Sequence, residues 1–189
     1  TITCTGKFDL VEKDNPINCW IYSAADGWGS HGPETLETAI RDSCNFYFNT
    51  VGYYLGQNEN GEYVGDMTLL NKYAEMYGFD STSGIEISEM DPQIATADPT
   101  RAAMGQSNNA FTTSQLARYV TTLANSGTCY DLTLLDKITD ASGNTQEEPD
   151  PVVHNRLELP QDLWTTIHAG MHDVTINNGN GIFANLQTQ

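Results

Sequence analysis

The residues able to do covalent chemistry are few, and most are excluded by spacing. The four lysines, Lys7, Lys13, Lys72 and Lys137, are none of them preceded by a serine three residues earlier, so no Ser-Lys pair shares a helix turn. Four histidines, His31, His154, His168 and His172, are present, but no Gly-x-Ser-x-Gly elbow offers them a nucleophile. His168 and His172 have the i, i+4 spacing that lets two imidazoles share a metal. With no Glu between them and no third ligand nearby in sequence, they read as polar side chains of a surface helix. The cysteines, Cys4, Cys19, Cys44 and Cys129, include no CxxC pair, so neither a metal site nor a cofactor is expected. Cys4 and Cys19 flank a turn-rich segment holding Gly6, Asn15 and Pro16. They fit either a disulfide, worth about 3 kcal/mol, or two buried thiols. What remains is Ser43-Cys44-Asn45, a polar tripeptide between two apolar-patterned stretches. At a helix start, short side chains can project into a cleft and free amides can bind anions. Equally, Ser43 can be the N-cap of a helix beginning at Phe46.

The elements that would hold this tripeptide are mainly helical. Leu36, Ala39 and Ile40 give the i, i+3, i+4 pattern of a helix over Pro33–Ile40, with Pro33 in its first turn. A second helix runs Phe46–Leu55 and stops at Gly56. Asp66 caps a third, with Leu69, Leu70, Tyr73 and Met76 on its inner face and Gly78 as terminator. Thr112 and Gln115 form a capping box before a helix with Leu116, Tyr119, Val120 and Leu123 on one side, ending at Asn125. Pro160 opens a last helix with Leu163, Ile167, Met171 and Val174 inward, closed by the Asn/Gly run at residues 177–181. Short strands are expected at Gly84–Ile87 and Leu132–Thr139, extended chain over residues 1–30, and a long ordered loop over residues 88–110. The reading is a mainly α chain with a few short strands (α+β), in one compact lobe over residues 1–189.

Composition narrows the partners. Of 189 residues, 8 are basic and 25 acidic, a net charge of −17. Such a chain repels phosphate backbones and anionic lipid surfaces, which argues against nucleic-acid binding. No apolar run reaches the roughly 18 residues of a membrane span, and the opening Thr1-Ile2-Thr3-Cys4 is not a signal peptide. Any export signal or anchor is therefore expected outside these residues, in a longer parent.

In order along the chain, His31-Gly32, Leu36, Ala39-Ile40, Ser43-Cys44-Asn45, Tyr47-Phe48 and Leu55-Gly56 resemble the SxN region of class B penicillin-binding proteins. The resemblance continues through Leu69-Leu70, Tyr73-Ala74, Tyr77-Gly78, the stretch from Thr82 to Ile87, Met104 to Ser107, Phe111 to Thr113, Leu116 to Tyr119 and Leu123 to Thr128, and ends on Gly170-Met171 and Val174. It implies the helical lobe of the penicillin-binding and serine β-lactamase-like transpeptidase fold, with the central sheet largely missing. It implies a D,D-transpeptidase parent that cross-links peptidoglycan stem peptides ending in D-Ala-D-Ala by serine acyl transfer and is acylated by β-lactams. That parent would be anchored on the extracytoplasmic face of the bacterial membrane, with a membrane glycosyltransferase as a partner. Ser43 would relay a proton, Asn45 would hold the substrate amide, and Cys44 would point away and pack. Gly105, Gln106 and Ser107 would line the substrate site. The nucleophile and its lysine (SxxK) and the KTG strand are expected before Thr1 and after Gln189, so the chain alone is expected to be inactive. The alternatives are a non-catalytic sensor or interaction module of the same fold, and a β-lactamase relative with a base in the loop between Glu89 and Gly105.

Overall fold

A computed structural model describes residues 1–24 and 26–178. The chain, expected as one lobe, gathers into two compact units. The first holds Thr1–Leu70, Thr96–Ser107 and the described residues from Leu159 on; the second holds Asn71–Ala95 and Asn108–Glu158.

The first unit opens with β1 (Ile2–Cys4), β2 (Lys7–Phe8) and β3 (Ile17–Asn18), then α1 (Trp20–Ala24) and β4 (Gly32–Glu34). β1 pairs antiparallel with β4, Cys4 opposite Gly32, and β2 pairs with β3. Helix α2 (Leu36–Arg41) follows, then α3 (Asn45–Leu55). Pro33 is thus a strand residue, not a first helical turn. The helix starts two residues later because Thr35 forms a capping box with Thr38, satisfying amides that Pro33 would leave open. α4 (Thr68–Met76), whose residues from Asn71 on belong to the second unit, begins after Asp66, whose carboxylate accepts from the Thr68 amide at 2.9 Å. It buries no residue fully, and Leu69 and Tyr73, expected inside, are exposed.

Inside the expected loop 88–110 lies a short helix, α5 (Pro99–Ala102), capped by Asp98. It packs on α3 closely enough that a methyl at Gly52 would sit 2.2 Å from the Pro99 carbonyl oxygen. The last described helix, α7 (Gln161–Asp173), lies against α2, where Gly170 meets Glu37 backbone, and runs into a π-helical turn at Val174–Asn178. Of the Asn/Gly run expected to close it, residues 179–181 lie outside the described residues.

The second unit is built on α6 (Thr113–Ala124), with the capping box of Thr112 and Gln115 in place. β5 (Thr128–Tyr130) pairs with β8 (Val153–Arg156), and β6 (Ile138–Thr139) with β7 (Thr145–Glu147). The expected strand over Leu132–Thr139 survives only as β6, and Gly84–Ile87 forms no strand. Its Glu86 instead accepts bonds from Thr133 and the Leu134 amide, which takes up that stretch in side-chain capping. Inside α6 the pattern is inverted: Gln115, Arg118 and Thr122 are buried, while Leu116 and Val120 are exposed. Arg118, fully buried, donates to the carbonyls of Gly78, Ser81 and Thr82 and pairs with Asp131 at 3.3 Å. Among the described residues every sheet is two-stranded, as expected of an α+β piece lacking a large sheet.

Candidate active site

Ser43, Cys44 and Asn45 form the corner between α2 and α3. The backbone turns there through a left-handed Ser43, φ 49°, after which Cys44 is extended and caps α3. The N-cap is therefore Cys44, without a side-chain cap bond, and not Ser43. The corner is pinned on both sides. Asp42 holds Arg41 through a two-bond pair at 2.8 and 2.9 Å, and the Asp42 carbonyl accepts from Trp20 Nε1 at 2.8 Å. The Cys44 amide bonds Ala39 O at 2.9 Å. The three side chains then part: Ser43 is exposed, Asn45 half-buried in the first turn of α3, and Cys44 fully buried. A hydroxyl and a carboxamide are so displayed from one rigid corner whose middle residue roots it in the core.

Gly105, Gln106 and Ser107 lie in the same unit, on an exposed turn after α5. Gly105 and Ser107 are both left-handed, φ 85° and 80°, and Ser107 Oγ donates to Ala97 O at 2.7 Å within its own loop. Their hydroxyl and amides are thus partly spent on shaping that turn.

Of the two readings of Cys4 and Cys19, the structure has the buried thiols and no bridge: all four cysteines are free and buried. Cys4 on β1, Cys19 before α1 and Cys44 at the α3 cap converge with His31, the residue before β4. The Sγ atoms and the imidazole nitrogen lie within 4.8 Å of one another. Ala39 completes the buried cluster, ringed by Ile21, Phe46, Tyr47 and Phe48. His31 Nδ1 faces Cys19 Sγ at 3.5 Å, and its Nε2 is buried without a partner. Hydrogen bonding from Cys44, with further bonds from the amides of Phe46 and Ile21, holds the Cys19 thiol well below the usual thiol range against the opposing effect of burial. Bonding to Cys19, together with burial, pushes the Cys44 thiol up. The expectation of no metal-ligating set rested on the absence of a local CxxC, whereas here each ligand comes singly from a different segment. Among the described residues this is the one such grouping, and it does not include His168 or His172. The available signal was compositional: three of the four cysteines and one histidine fall within the first 44 residues.

Comparison with known proteins identifies the family. The sequence pattern of the penicillin binding protein transpeptidase domain matches residues 7–188, and the chain belongs to that family. Penicillin-binding protein 2B of Streptococcus pneumoniae (serotype 2, strain D39) is 25% identical over 190 residues, covering 91% of this chain and 27% of its own length. The peptidoglycan D,D-transpeptidase MrdA of Haemophilus influenzae is 27% identical over 170 residues, covering 80% of this chain and 24% of its own. A solved structure described as the structural coordination of polymerization and crosslinking by a peptidoglycan synthase complex shares the fold. Its TM-score is 0.73 at 17% identity, over 99% of this chain and 31% of that one. The chain spans about a quarter of the length of the curated relatives it matches.

Proposed function

We propose that this chain is the part of a peptidoglycan D,D-transpeptidase that carries its SxN motif, and that the whole protein cross-links stem peptides by serine acyl transfer and is acylated by β-lactams. The observation that carries this is the corner at Ser43-Cys44-Asn45, which lies within the span that matches the family and turns through a left-handed Ser43. Ser43 Oγ is exposed and free to pass a proton between the nucleophile's base and the leaving nitrogen, which is general acid work. Asn45, fixed by the first turn of α3, hydrogen-bonds the substrate amide and holds its carbonyl for attack. The loop at Gly105-Gln106-Ser107 lines the same substrate. The acylated serine and its lysine lie outside these 189 residues, which contain no Ser-x-x-Lys. This chain alone therefore takes no covalent label, since an unactivated Ser43 has no base to make it a nucleophile.

The setting follows from the substrate. Stem peptides are cross-linked outside the cytoplasmic membrane, so the parent carries its transpeptidase there on an anchor, beside a glycosyltransferase that makes the strands. Protease applied to intact cells stripped of outer layers should reach this domain; full protection would place it on the wrong side.

A fluorescent penicillin tests the chemistry. The full-length parent should label in stoichiometric amount and this chain should not. Ser43→Ala in the parent should slow acylation by about 100-fold or more. Its stability should change little, because Ser43 is exposed and makes no cap. Stoichiometric labelling of the isolated chain would mean that the nucleophile lies within it, and an unlabelled parent would leave a non-catalytic interaction module.

A further inference from the structure

Three thiols and an imidazole converging from four separate segments form a set that packing alone does not require. Cysteine fills a core as a small hydrophobe without needing other sulfurs near it. A buried imidazole nitrogen without a partner is a cost unless something takes its lone pair or its proton. His31 supplies that group here, and its Nε2 is unpaired.

We propose that Cys4, Cys19, His31 and Cys44 bind one Zn²⁺ as a tetrahedral structural site. Zinc–sulfur bonds of about 2.3 Å at tetrahedral angles place sulfur pairs about 3.8 Å apart. The four ligand atoms already lie within 4.8 Å of one another, so closing on the ion needs only small side-chain rotations. Three soft thiolates and one imidazole in a tetrahedral frame select zinc over magnesium, calcium or manganese. The protein fills all four positions, leaving none for water, so the ion serves structure and not hydrolysis. On binding, the three thiols release their protons to solvent and the imidazole stays neutral, which leaves the centre with one net negative charge.

The ion would tie strand β1, the approaches to α1 and β4, and the cap of α3 to one point. Cys44 is the middle residue of the tripeptide, so the metal anchors from inside the corner that shows Ser43 and Asn45 outside. This holds whether or not the parent is a transpeptidase, because none of the four ligands is a group assigned to the reaction.

The test is metal content of the chain purified under reducing conditions without a metal-affinity step. Stoichiometric zinc is expected, together with loss of most of it in Cys4→Ala and Cys44→Ala and its full retention in Cys129→Ala. Because a ligand variant can fail to fold, the unaltered chain is also loaded with Co²⁺. Intense tetrahedral visible bands and thiolate charge-transfer bands are expected, and His31→Cys should keep the metal while strengthening the charge transfer by a fourth thiolate. Amides of residues 42–48 should exchange more slowly with zinc than after chelation. Zinc absent from folded protein with free thiols, octahedral cobalt spectra, iron or copper in place of zinc, or a disulfide between any two of Cys4, Cys19 and Cys44 in peptide mass mapping would each overturn the site.

Discussion

Each compact unit buries polar groups at a place where several chain segments meet, and each handles them differently. In the second unit Arg118 carries its own positive charge into the core and gathers the carbonyls of Gly78, Ser81 and Thr82 and the carboxylate of Asp131. In the first, Cys4, Cys19, His31 and Cys44 gather four ligand atoms that bring no cation of their own. One junction is complete in the amino-acid sequence; the other is completed from outside. The first kind of junction has its partners within the chain, whereas the second would have its stability set also by what the surroundings supply.

Substitutions can break that contrast, beginning with the largest effect. Arg118→Met should destabilise by about 3–5 kcal/mol in chemical denaturation, because it leaves Asp131 and three carbonyls without their shared donor. Chelators should change that loss little, since the junction needs no ion. Gly52→Ala strikes the first unit through packing alone. Its new methyl meets backbone that cannot rotate away, and a loss of about 1–3 kcal/mol is expected.

A smaller effect lies at Glu89 and appears only in acid. Burial pushes its carboxyl up, but bonds from Ser114, Thr112 and the Ser83 amide, the last at 2.6 Å, outweigh burial and hold it at about 2. The ordinary value is 4.5, so the ionised form stabilises the fold above that pH, and the contribution fades as pH falls from 4.5 toward 2. Glu89→Gln should therefore flatten this part of the acid limb of a stability–pH curve while leaving its neutral shape alone. The smallest effect sharpens the comparison through two capping boxes. Thr35→Ala should cost about 1 kcal/mol. Thr112→Ala should cost more, because Thr112 also donates to Glu89.

Where the sequence could be read, it was through local chemistry. The Thr112–Gln115 box, the Asn45–Leu55 helix within one residue of its expected start, and the terminating Gly78 with φ 84° are short-range features, and short-range rules reach them. The polar corner at Ser43 was legible for the same reason. Burial was not. On α6 and α4 the apolar stripe of Leu116 and Val120, or of Leu69 and Tyr73, marks a face that is exposed among the described residues, while α6 buries Gln115, Arg118 and Thr122. Periodicity identifies a helix face without saying which way it turns. The thiol–imidazole cluster was illegible for a third reason. Its ligands stand at positions 4, 19, 31 and 44, so only the tertiary fold brings them together.

Ser43 leaves a last consequence, one of handedness. At φ 49° its backbone lies in the region a mirror-image residue would choose, and an L-serine there is strained by about 1 kcal/mol or more. Ser43→Gly should relax this corner, and Ser43→Thr, which keeps a hydroxyl, should strain it further through its branched Cβ. Ranked by stability the order is glycine, serine, threonine; ranked by possession of a hydroxyl, glycine comes last. Comfort of the backbone and possession of the hydroxyl pull opposite ways at this one residue, so stability alone would not select serine here.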